Sequence, residues 1–153
     1  MQAETPMAES VGTDAGTPPR SFYIIGALAL LWNLLGVSAF VMQVTSTPTA
    51  LGETPEQVAF YQQFPSWAVS AFAVATFGGA LACVLLLLRN KQAIPVFTVS
   101  LLGLIAQNVY SFGLGNGLAA FGAGALGLPV MIAVVAIAML VYAMHALGRG
   151  WLK

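Results

Sequence analysis

The sequence predicts an all-α fold, a four-transmembrane-helix bundle with both termini in the cytoplasm. Three observations carry that prediction. Of the 153 residues, 59% are hydrophobic and only 7% are charged, whereas a water-facing domain carries roughly 25% charged residues. The apolar residues gather in four runs, each near the roughly 20 residues that cross a hydrocarbon core about 30 Å thick at about 1.5 Å per residue. Threading those runs as four spans puts Arg20, Arg89, Lys91, Arg149 and Lys153, all five basic residues, on one side. Lys and Arg near span ends are held on the side where chains are not translocated, so the arrangement reads N-in, C-in.

Composition also excludes some classes. The formal net charge is zero, and no basic patch suggests nucleic acid. One cysteine, Cys83, allows no disulfide framework and no cysteine metal site within one chain. Lying inside an apolar run, Cys83 reads as a small buried packing residue, since a reactive thiol needs an electropositive, accessible setting.

In order along the chain, residues 1–20 form a cytoplasmic tail. It contains Glu4, Glu9, Asp14 and several prolines but no aromatic residue. Such a segment cannot bury enough apolar area to offset its ordering entropy, and it reads as disordered. A transmembrane domain follows over 21–148. Its first span, 21–44, is uncharged and longer than the apolar region of a secretory signal; Pro48 is expected to stop it. The next connection carries Glu53 and Glu56 but no Lys or Arg. Within it Thr54-Pro55-Glu56-Gln57 has the form of a helix start, with Thr54 as cap, Pro55 in the first turn and Gln57 completing a capping box. The short helix so begun carries Val58, Phe60, Tyr61 and Phe64. Those aromatics suit an interfacial helix in the first outer loop, with rings buried and polar tips wet.

The second span, 66–88, begins after Pro65 with Trp67 at its entry. Ala71, Ala75, Gly79 and Cys83 recur at every fourth position, a strip that lets another helix approach closely. The third span, 93–114, follows the basic turn at Arg89 and Lys91. The glycine-rich stretch 113–129 is expected to be a flexible or partly re-entrant outer loop. The fourth span, 128–147, leads to a cytoplasmic tail, 149–153.

No Asp, Glu, Lys or Arg lies within a span, which argues against a charge-coupled pump, where ionisable groups line the path. His145 falls in the last turn of the fourth span and reads as a helix-end residue at the interface. Amides supply the remaining polar chemistry. Gly26, Ala29, Asn33, Gly36, Phe40 and Gln43 share one face of the first span. Ser100, Gly103, Gln107 and Ser111 share a face of the third, with Asn108 one position round. Amides in lipid lose their water partners at a cost of several kcal/mol on hydrocarbon scales, so Asn33, Gln107 and Asn108 are expected to face protein or water. Two roles are open: interhelical hydrogen bonds, or ligand-binding groups in a small neutral pocket with Trp32, Tyr61, Trp67 and Tyr110 nearby.

Several stretches together carry a resemblance. They are Leu31-Trp32-Asn33-Leu34-Leu35-Gly36, Thr54-Pro55-Glu56-Gln57 leading to Phe64-Pro65-Ser66-Trp67, Gly78-Gly79, and Leu88-Arg89 followed by Ala93-Ile94-Pro95-Val96-Phe97. The pattern resembles a family of small four-helix bacterial inner-membrane proteins of unassigned biochemistry, some of which carry the label "sugar transporter". It covers roughly 21–110 and implies a multi-pass protein of the bacterial inner membrane; it transfers no site residues. The glycine-rich third connection departs from the family pattern.

The sequence offers no metal-ligand cluster, no Ser/His/Asp arrangement and no phosphate-cradling glycine motif before a helix, so it is not expected to encode an enzyme, and no cofactor is implied. Two classes stay open beyond lipid contact itself. One is a transporter, or transporter subunit, for a small neutral solute such as a sugar, in which four spans would need a homo-oligomer to enclose a path. The other is a structural or accessory protein that packs against a membrane-protein partner. The small-residue strip suits either.

Overall fold

The computed structural model describes residues 16–47 and 54–153. The expected disorder of residues 1–15, the stop at Pro48 and the placement of Glu53 lie outside the described residues. Among those described, the chain is helical throughout: α1 (Arg20–Thr45), α2 (Pro55–Gln62), α3 (Ser66–Leu87), α4 (Ala93–Asn108), a π-helical turn (Val109–Leu114), α5 (Gly117–Phe121), a 3-10 turn (Ala123–Leu126) and α6 (Gly127–Gly148). Four helical segments are long and apolar enough to cross a membrane: α1, α3, α4 with its π turn, and α6 with the preceding 3-10 turn. Four such segments are what a multi-pass membrane protein requires.

The helices pack in series. Helix α3 lies against both α1 and α4, and α4 lies against α6. No comparable packing face joins α1 to α6, and these flanking helices bury far less of themselves than the central pair.

Small residues set the closest approaches. A Cβ on Gly103 of α4 would lie 2.7 Å from the Ala71 carbonyl oxygen and 3.1 Å from the Ala75 nitrogen. The Ser100 hydroxyl donates to the Ala75 carbonyl across the same seam at 2.6 Å. Backbone contact of this kind lets dispersion and interhelical hydrogen bonds act where lipid supplies no hydrophobic drive. Between α1 and α3, a Cβ on Gly26 would lie 2.6 Å from Leu87 Cδ2. The Phe40 ring meets Phe72 and Phe77 edge-on, with centroids 5.2 and 5.7 Å away.

The best-buried apolar cluster sits at the end of the bundle that carries the basic residues. Phe22, Cys83, Leu86, Ala93, Phe97 and Ala143 belong to it. A clasp closes this end. Arg89 adopts the left-handed conformation, with φ +60°. Its backbone carbonyl accepts from the Lys153 amide at 2.7 Å, and the Lys153 carbonyl accepts from the Lys91 amide at 3.0 Å. The Arg89 guanidinium donates to the Trp151 carbonyl at 2.8 Å and to the Gly16 carbonyl. Trp151 in turn meets Phe22 edge-on at 5.8 Å. The segment just before α1 is thus bonded to the bundle through Gly16, although its composition reads as disordered.

At the other end the glycine-rich stretch is wound into the π turn, α5 and the 3-10 turn rather than left as a flexible loop. Close contacts explain why glycine stands there. A Cβ on Gly117 would collide with the Ser111 carbonyl, and one on Gly115 would lie 3.0 Å from the Tyr110 carbonyl oxygen and 3.2 Å from the Phe60 ring. Gly122 joins α5 to the next turn at φ +76° and ψ 167°, a region open almost solely to glycine.

Candidate functional site

Between the closed basic end and the α2 end lies a cavity of about 520 Å³. Its walls follow from the serial packing: α3 and α4 form the back, while α1 and α6 flank a space they do not close against each other. Phe97 and Met139, the upper members of the buried cluster, form its floor.

The roof is aromatic. Helix α2 starts as its sequence requires: the Thr54 hydroxyl accepts from the Gln57 amide at 3.4 Å, and the Gln57 side chain accepts from the Thr54 amide at 3.0 Å. This box aims Phe60, Tyr61 and Phe64 at the cavity. Phe121 of α5 meets Phe60 and Tyr61 edge-on, with centroids 5.4 and 5.8 Å away. Phe64 meets Tyr110 at 4.7 Å, and the Tyr110 hydroxyl donates to the Gln63 carbonyl at 2.8 Å. Glu56 sits in the first turn of α2. Its own backbone N–H and then the Thr54 hydroxyl hold its carboxyl below the ordinary value of 4.5.

Asn33, Gln107 and Asn108 all line the cavity, as do Gln43, Thr76, Ser100 and Ser111. Asn33 donates to the Ala29 carbonyl at 2.8 Å and to Cys83 Sγ at 3.4 Å. Gln107 donates to Ser111 Oγ at 3.2 Å, and Asn108 to the Leu104 carbonyl at 2.8 Å. Among the described residues Asn33 and Gln107 share no hydrogen bond; they face one space from different helices. All three amides spend an N–H on the protein and leave the carbonyl oxygen with no donor among the described residues. Among the described residues no Asp, Glu, Lys, Arg or His lies in the lining, and no three His, Cys, Asp or Glu side chains come together as a metal site. The Asn33 oxygen is seated against Gly79, so the arrangement offers a neutral ligand the amide oxygens of Gln107 and Asn108, set among aromatic rings.

Other positions singled out in the sequence divide between the cavity and the packing. Trp32 and Tyr61 line the space, but Trp67 and Tyr110 do not; they meet each other edge-on, 5.5 Å apart. The strip on α3 is used within the chain. Gly79 is pressed against Asn33 of α1, with Ser100 Oγ 3.3 Å from its Cβ position, Ala71 and Ala75 meet Gly103, and Cys83 is buried. Arg20, Arg89, Lys91, Arg149 and Lys153 all lie at the clasp end, outside the cavity.

Sequence reasoning missed the α6 wall: Leu128, Pro129, Ile132, Val135, Ala136 and Met139. Residues 127–141 of that helix are all apolar, so no pattern separates a cavity face from a lipid face. Phe121 and Phe112 were missed because the turns that aim them form through long-range contacts. No family model, curated protein or solved structure matches the chain.

Proposed function

We propose that this chain is a multi-pass membrane protein whose cavity binds a small neutral, hydroxyl-bearing solute, as the substrate site of a transporter or transporter subunit. One observation carries the reading: Asn33, Gln107 and Asn108 line a common cavity, and the amide oxygens of Gln107 and Asn108 have no donor of their own among the described residues. Hydroxyl donors on a ligand would satisfy them, and aromatic faces such as Trp32 and Phe60 suit the apolar faces of a sugar ring. The resemblance to bacterial inner-membrane proteins labelled "sugar transporter" points the same way and supports a bacterial inner-membrane location. The five basic residues at the clasp end orient that end toward the cytoplasm. The small-residue strip is taken up by contacts inside the chain, so it favours neither the transporter nor the accessory-protein reading.

The test is equilibrium binding and uptake of radiolabelled glucose by purified protein in liposomes. The expected result is saturable binding, weakened about ten-fold in Asn108→Ala, which corresponds to one good hydrogen bond of roughly 1.4 kcal/mol. Gln107→Ala should act in the same direction. Absence of saturable binding of glucose, of other neutral polyols and of neutral alkyl glycosides by correctly assembled protein would sink the proposal.

A further inference from the structure

The cavity has an unusual distribution of polarity. Its polar groups come from α1, α3 and α4, together with the π turn that extends α4, whereas every residue contributed by α6 is apolar. Beyond the contact of Phe22 with Tyr142 at the clasp end, the flank between α1 and α6 is therefore the apolar side. Leu35 of α1 and Leu128 of α6 border the cavity yet are 60% and 59% exposed, which makes them the rim of an opening rather than part of a closed wall. Both helices are long and apolar enough to span a bilayer. In a bilayer that opening would face hydrocarbon, not water.

Resting on the neutral-ligand reading above, we propose that the ligand is a neutral amphiphile taken laterally from the bilayer, with a hydroxylated head on the amides and an alkyl chain in the cleft between α1 and α6. The lining suits an uncharged head, since among the described residues it holds no Asp, Glu, Lys, Arg or His to pair or repel an ion. The gradient fixes the orientation. A head reaching Gln107 and Asn108 satisfies two oxygens, and a chain along Ala39, Ile132 and Ala136 exchanges bilayer contacts for similar apolar ones. The aromatic roof made by α2 and α5 covers the end through which a water-borne solute would come, while the flank is left open. A wholly polar solute would leave the α6 wall facing its hydroxyls, and those hydroxyls would lose water without a partner.

The test uses octyl β-D-glucopyranoside carrying a photoreactive diazirine in mid-chain, kept below its micellar concentration, with the full chain in lipid nanodiscs. Cross-linked peptides are mapped by mass spectrometry, and glucose binding is measured on the same preparation. The expected result is saturable labelling concentrated around residues 35–39 and 128–136, competed by unlabelled octyl glucoside. It should fall about ten-fold in Asn108→Ala, as for loss of one hydrogen bond to the head. Ala39→Trp and Ala136→Trp, which fill the cleft from opposite sides, should each abolish it, with assembly checked by size-exclusion profile. If glucose binds but labelling is non-saturable and spread evenly over the outward faces of α1, α3 and α6, lateral entry is overturned while the neutral-solute reading stands. If neither probe binds, both fail.

Discussion

Gly79 and Asn33 form the tightest side-chain contact of the cavity wall, and each constrains the other. Asn33 is held by Ala29 and Cys83, so its carboxamide cannot move aside freely, and a methyl group on Gly79 would collide with its oxygen. Overpacking of this kind costs roughly 1–3 kcal/mol. Gly79→Ala should therefore lower stability in detergent by about that much, while Asn33→Ala loses its hydrogen bonds but makes room. The double variant should be more stable than the sum of the single effects, because the second change removes the obstacle created by the first. A double-mutant cycle followed by thermal unfolding measures this coupling; strict additivity would show that the two residues do not press on each other. At this scale the sequence was informative about chemistry but not about pairing. Spacing put Asn33, Gln107 and Asn108 on interior-facing sides of their helices. It could not show that Asn33 bonds to Cys83 rather than Gln107, since that choice depends on which helices are neighbours.

The long helices and α2 were legible because their causes are local. Apolar length specifies the spans, and the Thr54–Gln57 spacing specifies a capping box. The 109–126 region was not legible. Its turns depend on the close seating of Gly115 and Gly117 against Tyr110, Ser111 and Phe60, contacts that glycine content alone reads as looseness. The α6 wall escaped for the opposite reason, since uniform apolarity hides which side faces the cavity. Helix α2 also carries a pH-dependent element. The folded-state pKa of Glu56 is lowered below 4.5, so folding favours its ionised form. That contribution is complete above the unfolded value and is lost as pH falls through the lowered folded value. Acidification through this range should loosen the first turn of α2 and, through Phe64 and Tyr110, alter the surroundings of Trp67. Trp67 fluorescence, in a Trp32→Phe, Trp151→Phe background, should shift with pH in the parent and lose that acid-range step in Glu56→Gln. An identical step in both would assign it elsewhere.

Across the whole molecule, the two ends of the bundle differ in chemistry and in construction. One end carries the basic residues and the clasp; the other carries aromatic rings and glycine-supported turns. The segregation of charge predicts the orientation proposed above. Reporter fusions after Leu88 and after Lys153 should show cytoplasmic activity, and a fusion after Asn116 external activity. A cytoplasmic signal at Asn116 would invert or break the arrangement. The serial packing gives α6 a further property. It is fixed to α4 along its side, and at the clasp end the chain that follows it is tied down by Arg89, Lys91 and Phe22. Near its start it has no packing face on α1. Mechanically this is a cantilever, anchored at one end and deflected most at the other. The contacts of Phe121 with Phe60 and Tyr61 then act as the catch at its free end, and the width of the cleft can change without disturbing the seam between α3 and α4.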